Sequence, residues 1–382
     1  MGPLSGGSQT MRKQHRVSRA ILRYHVLCFI SINERPTMPS NRLYAYDVVR
    51  VVAMVFVVAV HSLVVVDASS SAVFLVYAAC QATFFTANAL FFMLSGKFNL
   101  RERKTDEDLK SYYLKRFRGF LLPILVLFLV RTLYNLFPNY ETVLHVGKEY
   151  IKNSLGGFNS MEYWFVFTLF GFLLVAPFIA PMFSKMTDFA KKLFLGIGLS
   201  YNLLVLVTSN MGIDFGWGYL FSGFALAFCL GAFVEDLFMT KKVRTWLYLC
   251  AAGGLAVTVL LAWNGWMKTI HDTSPFYTVL AIGIYIFILS AAKNAKPSKA
   301  VSFMAQHSFS VYLVHMMFLL PISRMMPQVD GAASLALYVA TTAIVFGLSL
   351  LCAIVIDAIL VKPAQKAFDW IAGKAASRRE AQ

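Results

Sequence analysis

Apolar runs long enough to cross about 30 Å of hydrocarbon, at roughly 1.5 Å of helix per residue, succeed one another along most of this chain. They lie near residues 47–66, 73–96, 119–137, 161–183, 191–209, 216–235, 246–263, 276–292, 303–320 and 335–356. In lipid every backbone polar group must be satisfied within the chain, and runs this long and this evenly apolar suit helices. The expectation is an all-α polytopic membrane protein with about ten transmembrane helices. Residues 47–360 would form one membrane domain, 1–46 a basic leader and 361–382 a basic tail. The leader's apolar patch VLCFISI is short for a signal-peptide core and no small-residue cleavage site follows it. Met38, in MPSNRLYAYD, is the expected natural start.

The net charge of +16 raises the question of nucleic acid. That reading needs a basic face on a soluble module, whereas these cations fall between apolar spans. They gather before residue 47, in 97–118, 184–190, 236–245 and 293–302, and after 356. The alternate loops hold only Lys148, Lys152, Lys268 and Arg324. The positive-inside rule then puts both termini in the cytoplasm, and no nucleic-acid partner is expected. The five cysteines are scattered, mostly within apolar runs, so neither a disulfide framework nor a metal site is implied.

Against this apolar background the first span, DVVRVVAMVFVVAVHS, keeps Asp47, Arg50 and His61. Each such group costs up to about 3 kcal/mol near the bilayer centre. Eleven residues at about 100° each bring Arg50 and His61 onto one helix face, roughly 16 Å apart along the axis, with Asp47 within about 40° of His61. Alone, Arg50 reads as a snorkelling anchor and His61 as an interhelical hydrogen bond. Together they favour a protein-lined cavity, with Arg50 at its cytoplasmic mouth and His61 nearer mid-membrane.

Further polar groups follow at helical spacing. Gln81, Asn88 and Ser95 recur every seven residues in the second span, either as cavity lining or as glue between helices. The loop before the third span carries Lys97, Arg101, Arg103, Lys104, Lys110, Lys115, Arg116 and Arg118. Such a cluster orients the protein and touches anionic lipid, or it neutralises phosphates, with Arg116 and Arg118 the candidates for that role. Arg131, in the outer part of the third span, reads as snorkelling outward. Glu162 opens the fourth span beside Tyr163 and Trp164, which suit an aromatic belt. In HSFSVYLVH, Ser308, Tyr312 and His315 share a face.

The ordered set of Arg50-x(10)-His61, FFMLSGKF (91–98), YYLKRFRGFLLP (112–123), YWFVFTLFGFLLVAP (163–177) and HSFSVYLVH (307–315) resembles the integral-membrane acyltransferase family 3. These are O-acyltransferases that modify surface polysaccharides, peptidoglycan and related acceptors. The chain departs from the family in having Glu162 where a histidine often precedes the fourth helix. No soluble esterase-like domain is expected after the last span.

The resemblance implies an acyl-CoA donor, acetyl-CoA in the first instance, entering from the cytoplasm, and a hydroxyl acceptor on a cell-surface saccharide. Besides membrane lipid, these are the expected partners, with no permanently bound cofactor and no metal. A bacterial plasma membrane is the expected location. Arg50, Arg116 and Arg118 would hold the donor's phosphates, and Asp47 would hold Arg50. His61 would take the hydroxyl proton, since an imidazole titrates near neutrality; a ping-pong path through acyl-His61 stays open beside direct transfer. Gln81, Asn88, Ser95, Glu162, Trp164, Tyr312 and His315 would line the cavity. The rival reading is a secondary transporter of sugars or lipid-linked intermediates, which predicts related halves and broken helices in corresponding positions. A structural envelope component would leave the first helix's polar stripe unexplained.

Overall fold

The computed structural model describes residues 40–137, 142–156, 161–213, 221, 223–266 and 274–380, and among these every regular element is helical. The leader and Met38 lie outside the described residues. The elements are α1 (Ser40–Ser62), α2 (Ser71–Phe85), α3 (Ala87–Asn99), α4 (Asp106–Arg116), α5 (Leu122–Leu136), α6 (Val143–Gly156), α7 (Trp164–Ser184), α8 (Asp188–Asn210), α9 (Gly223–Leu230), α10 (Val234–Leu237), α11 (Lys241–Trp263), α12 (Pro275–Ala292), α13 (Lys299–Met325), α14 (Ala332–Ile356) and α15 (Lys362–Glu380). A π turn, Phe117–Leu121, joins α4 to α5, and another, Asp357–Val361, joins α14 to α15.

Nine helices among the described residues are long and apolar enough to cross a membrane, and the chain is a multi-pass membrane protein. The sixth expected span is the exception. Residues 214–220 and 222 lie outside the described residues. The rest of that span includes the eight-residue α9, a turn and the short α10, with Leu226, Ala227, Phe228, Cys229, Leu230, Phe233 and Val234 buried. Many exposed side chains on the long helices are apolar: Phe178 is 70% exposed, Val339 64% and Leu249 58%. Surface of that kind needs lipid, not water, against it.

Local signals set the helix starts. Thr105, Thr187 and Thr240 each accept a hydrogen bond from the amide three residues on, at 3.1, 3.2 and 3.3 Å. Ser274 caps α12 ahead of Pro275, a residue suited to a helix's first position. Asp106, Glu107 and Asp108 crowd the first turn of α4, where the helix dipole favours anions.

Helix α1 is the hub, packing against α2, α3, α12, α13 and α14. Glycines bring α3 and α9 into backbone contact. A Cβ on Gly96 would fall 1.8 Å from the Phe228 carbonyl oxygen, and one on Gly231 would fall 2.0 Å from that of Met93. Beside this crossing, Lys97 pairs with Glu235 at 3.1 Å, and Glu235 also accepts from the hydroxyls of Tyr46 (2.8 Å) and Tyr285 (3.4 Å). A further buried node ties α13 to the end of α14. Asp357 takes His307 Nδ1 at 2.5 Å on one carboxylate oxygen and the Ser310 hydroxyl at 2.6 Å on the other.

At the end of the bundle nearest His61, Asp67 clasps two loops. Its carboxylate accepts from the amides of Gly331 (2.8 Å) and Ser69 (3.1 Å) and the Ser69 hydroxyl (3.0 Å), while its own amide donates to the Ser334 hydroxyl (3.0 Å). Gly331 has φ +57°, a conformation open to glycine. The bond from the Gly331 amide, then those from Ser69, hold the carboxylate below its ordinary pKa. A depressed carboxylate contributes its clasp at neutral pH and loses it as pH falls through the lowered value, below the ordinary range near about 4. Asp67→Asn is therefore expected to speed amide exchange at Ser69 and Gly331 at pH 7, and acid to do so in the parent only below that range. Equal protection of both proteins at pH 7 would contradict the clasp.

Candidate functional site

Two histidines meet where α1 and α13 pack. The rings of His61 and His315 lie 5.1 Å apart between centroids, tilted by 57°. His61 occupies the last turn of α1. Its Nδ1 lies 2.8 Å from the Val57 carbonyl, and Nδ1 of His315 lies 2.5 Å from that of Tyr312. A carbonyl oxygen only accepts, so in the neutral imidazoles each Nδ1 carries the proton and each Nε2 presents a lone pair. The Nε2 of His315 is buried without a hydrogen-bond partner, on a residue with no exposed surface. His61 is only half-buried.

Around the two rings the 3-10 turn Met161–Tyr163 is tied to α13 by a reciprocal pair of bonds. The Tyr312 hydroxyl donates to the Glu162 carbonyl, and the Tyr163 hydroxyl to the Leu313 carbonyl at 2.8 Å. Glu162 is 3% exposed, so the expected cavity residue is buried in the protein. Glu162 lies within electrostatic reach of His61, Tyr163 and Tyr312, and Arg131 within that of Tyr163 and His315. Arg131 corrects the sequence reading: it is 5% exposed and turned into the bundle, not snorkelling outward. Beside it Phe128 stacks on Tyr163, with centroids 4.9 Å apart.

Of the other expected lining residues, Trp164 packs inward on Phe224 at 4.8 Å, in a group of rings that includes Phe92, Phe165 and Phe172. The face of Gln81, Asn88 and Ser95 is interrupted. The chain turns at Thr86, whose hydroxyl and amide both bond the Thr83 carbonyl, so Gln81 belongs to α2 and the other two to α3. All three are partly buried. The side chains of Gln81 and Asn88 make no hydrogen bond among the described residues, and the Ser95 carbonyl accepts from Asn99 at 2.7 Å.

At the opposite, basic end, Arg50 Nη1 bonds Asp47 Oδ1 at 2.7 Å, one turn apart on α1. The second oxygen of Asp47 accepts from Ser302 at 3.2 Å, linking α1 to α13. Arg50 and Arg101 both approach the Phe98 ring, at 5.5 and 5.6 Å. A similar arrangement surrounds Tyr112, with Arg103 at 3.8 Å and Arg116 at 5.3 Å from the ring. Neither arginine is ion-paired among the described residues, and the buried Nε of Arg116 has no acceptor. Burial pulls the Arg103 guanidinium below its ordinary pKa, with Arg101 acting in the same sense. Arg103 Nη1 donates to the Asn99 and Arg101 carbonyls at 3.1 and 2.7 Å, and Asp108 lies within electrostatic reach of it. Arg118 is placed differently, its fork filled by Asp369 at 2.5 and 2.7 Å. The described residues hold no group of His, Cys, Asp and Glu able to bind a metal ion.

Sequence comparison decides the family. The acyltransferase family 3 model, described as an acyltransferase domain, matches residues 43–357. The chain belongs to this family. Both histidines, Arg50, the Tyr112 cluster, Arg131 and Glu162 lie inside the matched region, and so does Asp357 at its last residue. As a family 3 acyltransferase embedded in the membrane, the protein works in a lipid environment on an acyl donor and an acceptor. No curated protein and no solved structure matches the chain.

Proposed function

We propose that the protein moves an acyl group, acetyl in the first instance, from acyl-CoA on the cytoplasmic side to a hydroxyl of a cell-surface saccharide or its precursor. The basic end is read as cytoplasmic from the distribution of Lys and Arg. The observation that carries the chemistry is the bond from His61 Nδ1 to Val57, which leaves Nε2 as a base on a half-buried ring beside a second histidine. Nε2 takes the acceptor's hydroxyl proton as its oxygen attacks the thioester carbonyl. The C–S bond then breaks, and the coenzyme A thiolate takes the proton from the imidazolium to leave as thiol. Direct transfer accounts for each atom with one base; an acyl-His61 intermediate would announce itself as a burst of free thiol before any acceptor is acylated.

Support for a coenzyme A donor comes from the basic end. Arg103 and Arg116 flank Tyr112, and Arg50 stands about 16 Å of helix rise from His61, of the order of an extended pantetheine arm. Arg50→Lys removes the planar fork and is expected to raise the donor KM about tenfold while kcat changes little. An unchanged donor KM would remove Arg50 from donor binding. The test of the whole reading is purified protein in lipid nanodiscs given labelled acetyl-CoA and polyhydroxyl acceptors. Ester-linked label on saccharide with stoichiometric thiol release is the expected result. Movement of intact sugar across sealed vesicles without acyl transfer would favour a transporter instead.

A further inference from the structure

The last helix, α15, lies beyond the matched family domain, which ends at residue 357, yet one face of it grips the π turn that separates the Tyr112 cluster from α5. Gln365, Phe368 and Asp369 stand at i, i+3 and i+4 on that face. The Gln365 amide donates to the Arg118 carbonyl at 3.2 Å. Phe368 packs on Phe117 with centroids 5.1 Å apart. Asp369 takes Arg118 in two parallel bonds, and the side chains are 15% and 23% exposed. A bidentate, partly buried pair of this kind fixes orientation as well as contributing energy.

The π turn is what gives this grip consequence. It places one more residue in the turn than an α-helix has, so its presence sets the rotation of everything before it relative to everything after it. Before it lie Tyr112 and Arg116, which with Arg103 make the cationic cluster; after it lies Arg131, beside the histidines. The carbonyl that Gln365 satisfies and the guanidinium that Asp369 holds both belong to Arg118, inside the turn.

From these contacts we infer that Asp369 is a positioning residue: by clamping Arg118 it holds the π turn and so aims Arg116 at the phosphates of the donor. The inference rests on the acyl-CoA reading of the basic end. It gives Arg118 a role that needs no contact with donor, and it makes the carboxyl-terminal helix a working part of the donor site.

The experiment uses the full chain in nanodiscs and reads two quantities, coenzyme A affinity by calorimetry and amide exchange over residues 112–121. Asp369→Asn is expected to speed exchange across the π turn and weaken coenzyme A about tenfold, and Gln365→Leu to do the same to a smaller degree, about threefold. The exchanged pair Arg118→Asp with Asp369→Arg should return affinity to within about threefold of the parent. Lys366→Gln, on the exposed side of α15, should change neither quantity. Faster exchange with affinity unchanged in Asp369→Asn would reduce the clamp to a structural brace and overturn the inference. So would an exchanged pair that folds but stays as weak as the single variant. If Asp369→Asn does not fold, Gln365→Leu decides by the same two readings. A parent protein that binds no coenzyme A overturns the donor reading itself, and that failure is visible before any substitution is made.

Discussion

His61→Ala in folded protein is expected to lower acyl transfer by about 10³-fold or more while donor binding at the basic end stays within about twofold. The magnitude follows from what the ring does in the proposed step. Loss of a positioned base costs about 10² to 10⁴ in rate, and among the described residues the neighbouring histidine is poorly placed to replace it. His315 is fully buried behind His61, its Nδ1 committed to Tyr312. A substitution that leaves Nδ1 and removes the basic Nε2 is the sharper probe, and Asn comes nearest, since its amide can still donate to the Val57 carbonyl. His61→Asn should therefore keep the thermal stability of the parent and still lose activity. Near-parental acylation by either variant, measured as label in saccharide, would remove His61 from the chemistry.

The second large effect concerns the fold. Gly96→Ala or Gly231→Ala is expected to destabilise the protein by more than about 3 kcal/mol, read as a fall in melting temperature or loss of monodisperse protein in detergent. Each methyl would strike a backbone carbonyl oxygen far inside van der Waals contact, 1.8 Å from that of Phe228 and 2.0 Å from that of Met93, so no side-chain rotation relieves it. Helices α3 and α9 would have to separate, and the Lys97–Glu235 pair beside them would open. Gly171→Ala is the control, because nothing lies within 4 Å of the added Cβ. Equal stability of Gly231→Ala and Gly171→Ala would contradict the close approach of the two helices.

How much of this could be read from residues alone varies with the range of the interaction. Apolar runs located nine crossing helices, because hydropathy over about 20 residues reports an element's surroundings without reference to any partner. The Asp47–Arg50 pair was equally legible, being one turn apart on one helix. Long-range pairing was not. His61 meets His315 and His307 meets Asp357 across helices joined only by the tertiary fold, and no periodicity encodes which faces turn toward each other. Arg131 illustrates the point: an arginine near the end of a span snorkels outward if its face meets lipid, whereas here it is buried within electrostatic reach of Tyr163, on an element distant in sequence.

Breaks in helices were the other blind spot. The seven-residue recurrence of Gln81, Asn88 and Ser95 assumes a continuous helix, and the turn at Thr86 ends that assumption with hydrogen bonds any threonine in a helix could have made elsewhere. Both π turns, Phe117–Leu121 and Asp357–Val361, sit in sequence that reads as ordinary helix, and only contacts from α15 and α13 reveal what they hold. The sixth expected span lies partly outside the described residues. Within it Leu226, Ala227, Phe228, Cys229 and Leu230 of α9 are buried in protein, and hydropathy does not distinguish an apolar segment covered by protein from one that faces lipid.

The central proposal is that an acyl group presented at the basic end, proposed to face the cytoplasm, reaches His61 through the protein. Sealed vesicles of both orientations, given labelled acetyl-CoA on one side only, test it most directly. Label should enter saccharide when the donor bathes the face carrying Arg50 and Arg116 and should fall to background with the donor on the other face. Incorporation only from the opposite face would contradict the account.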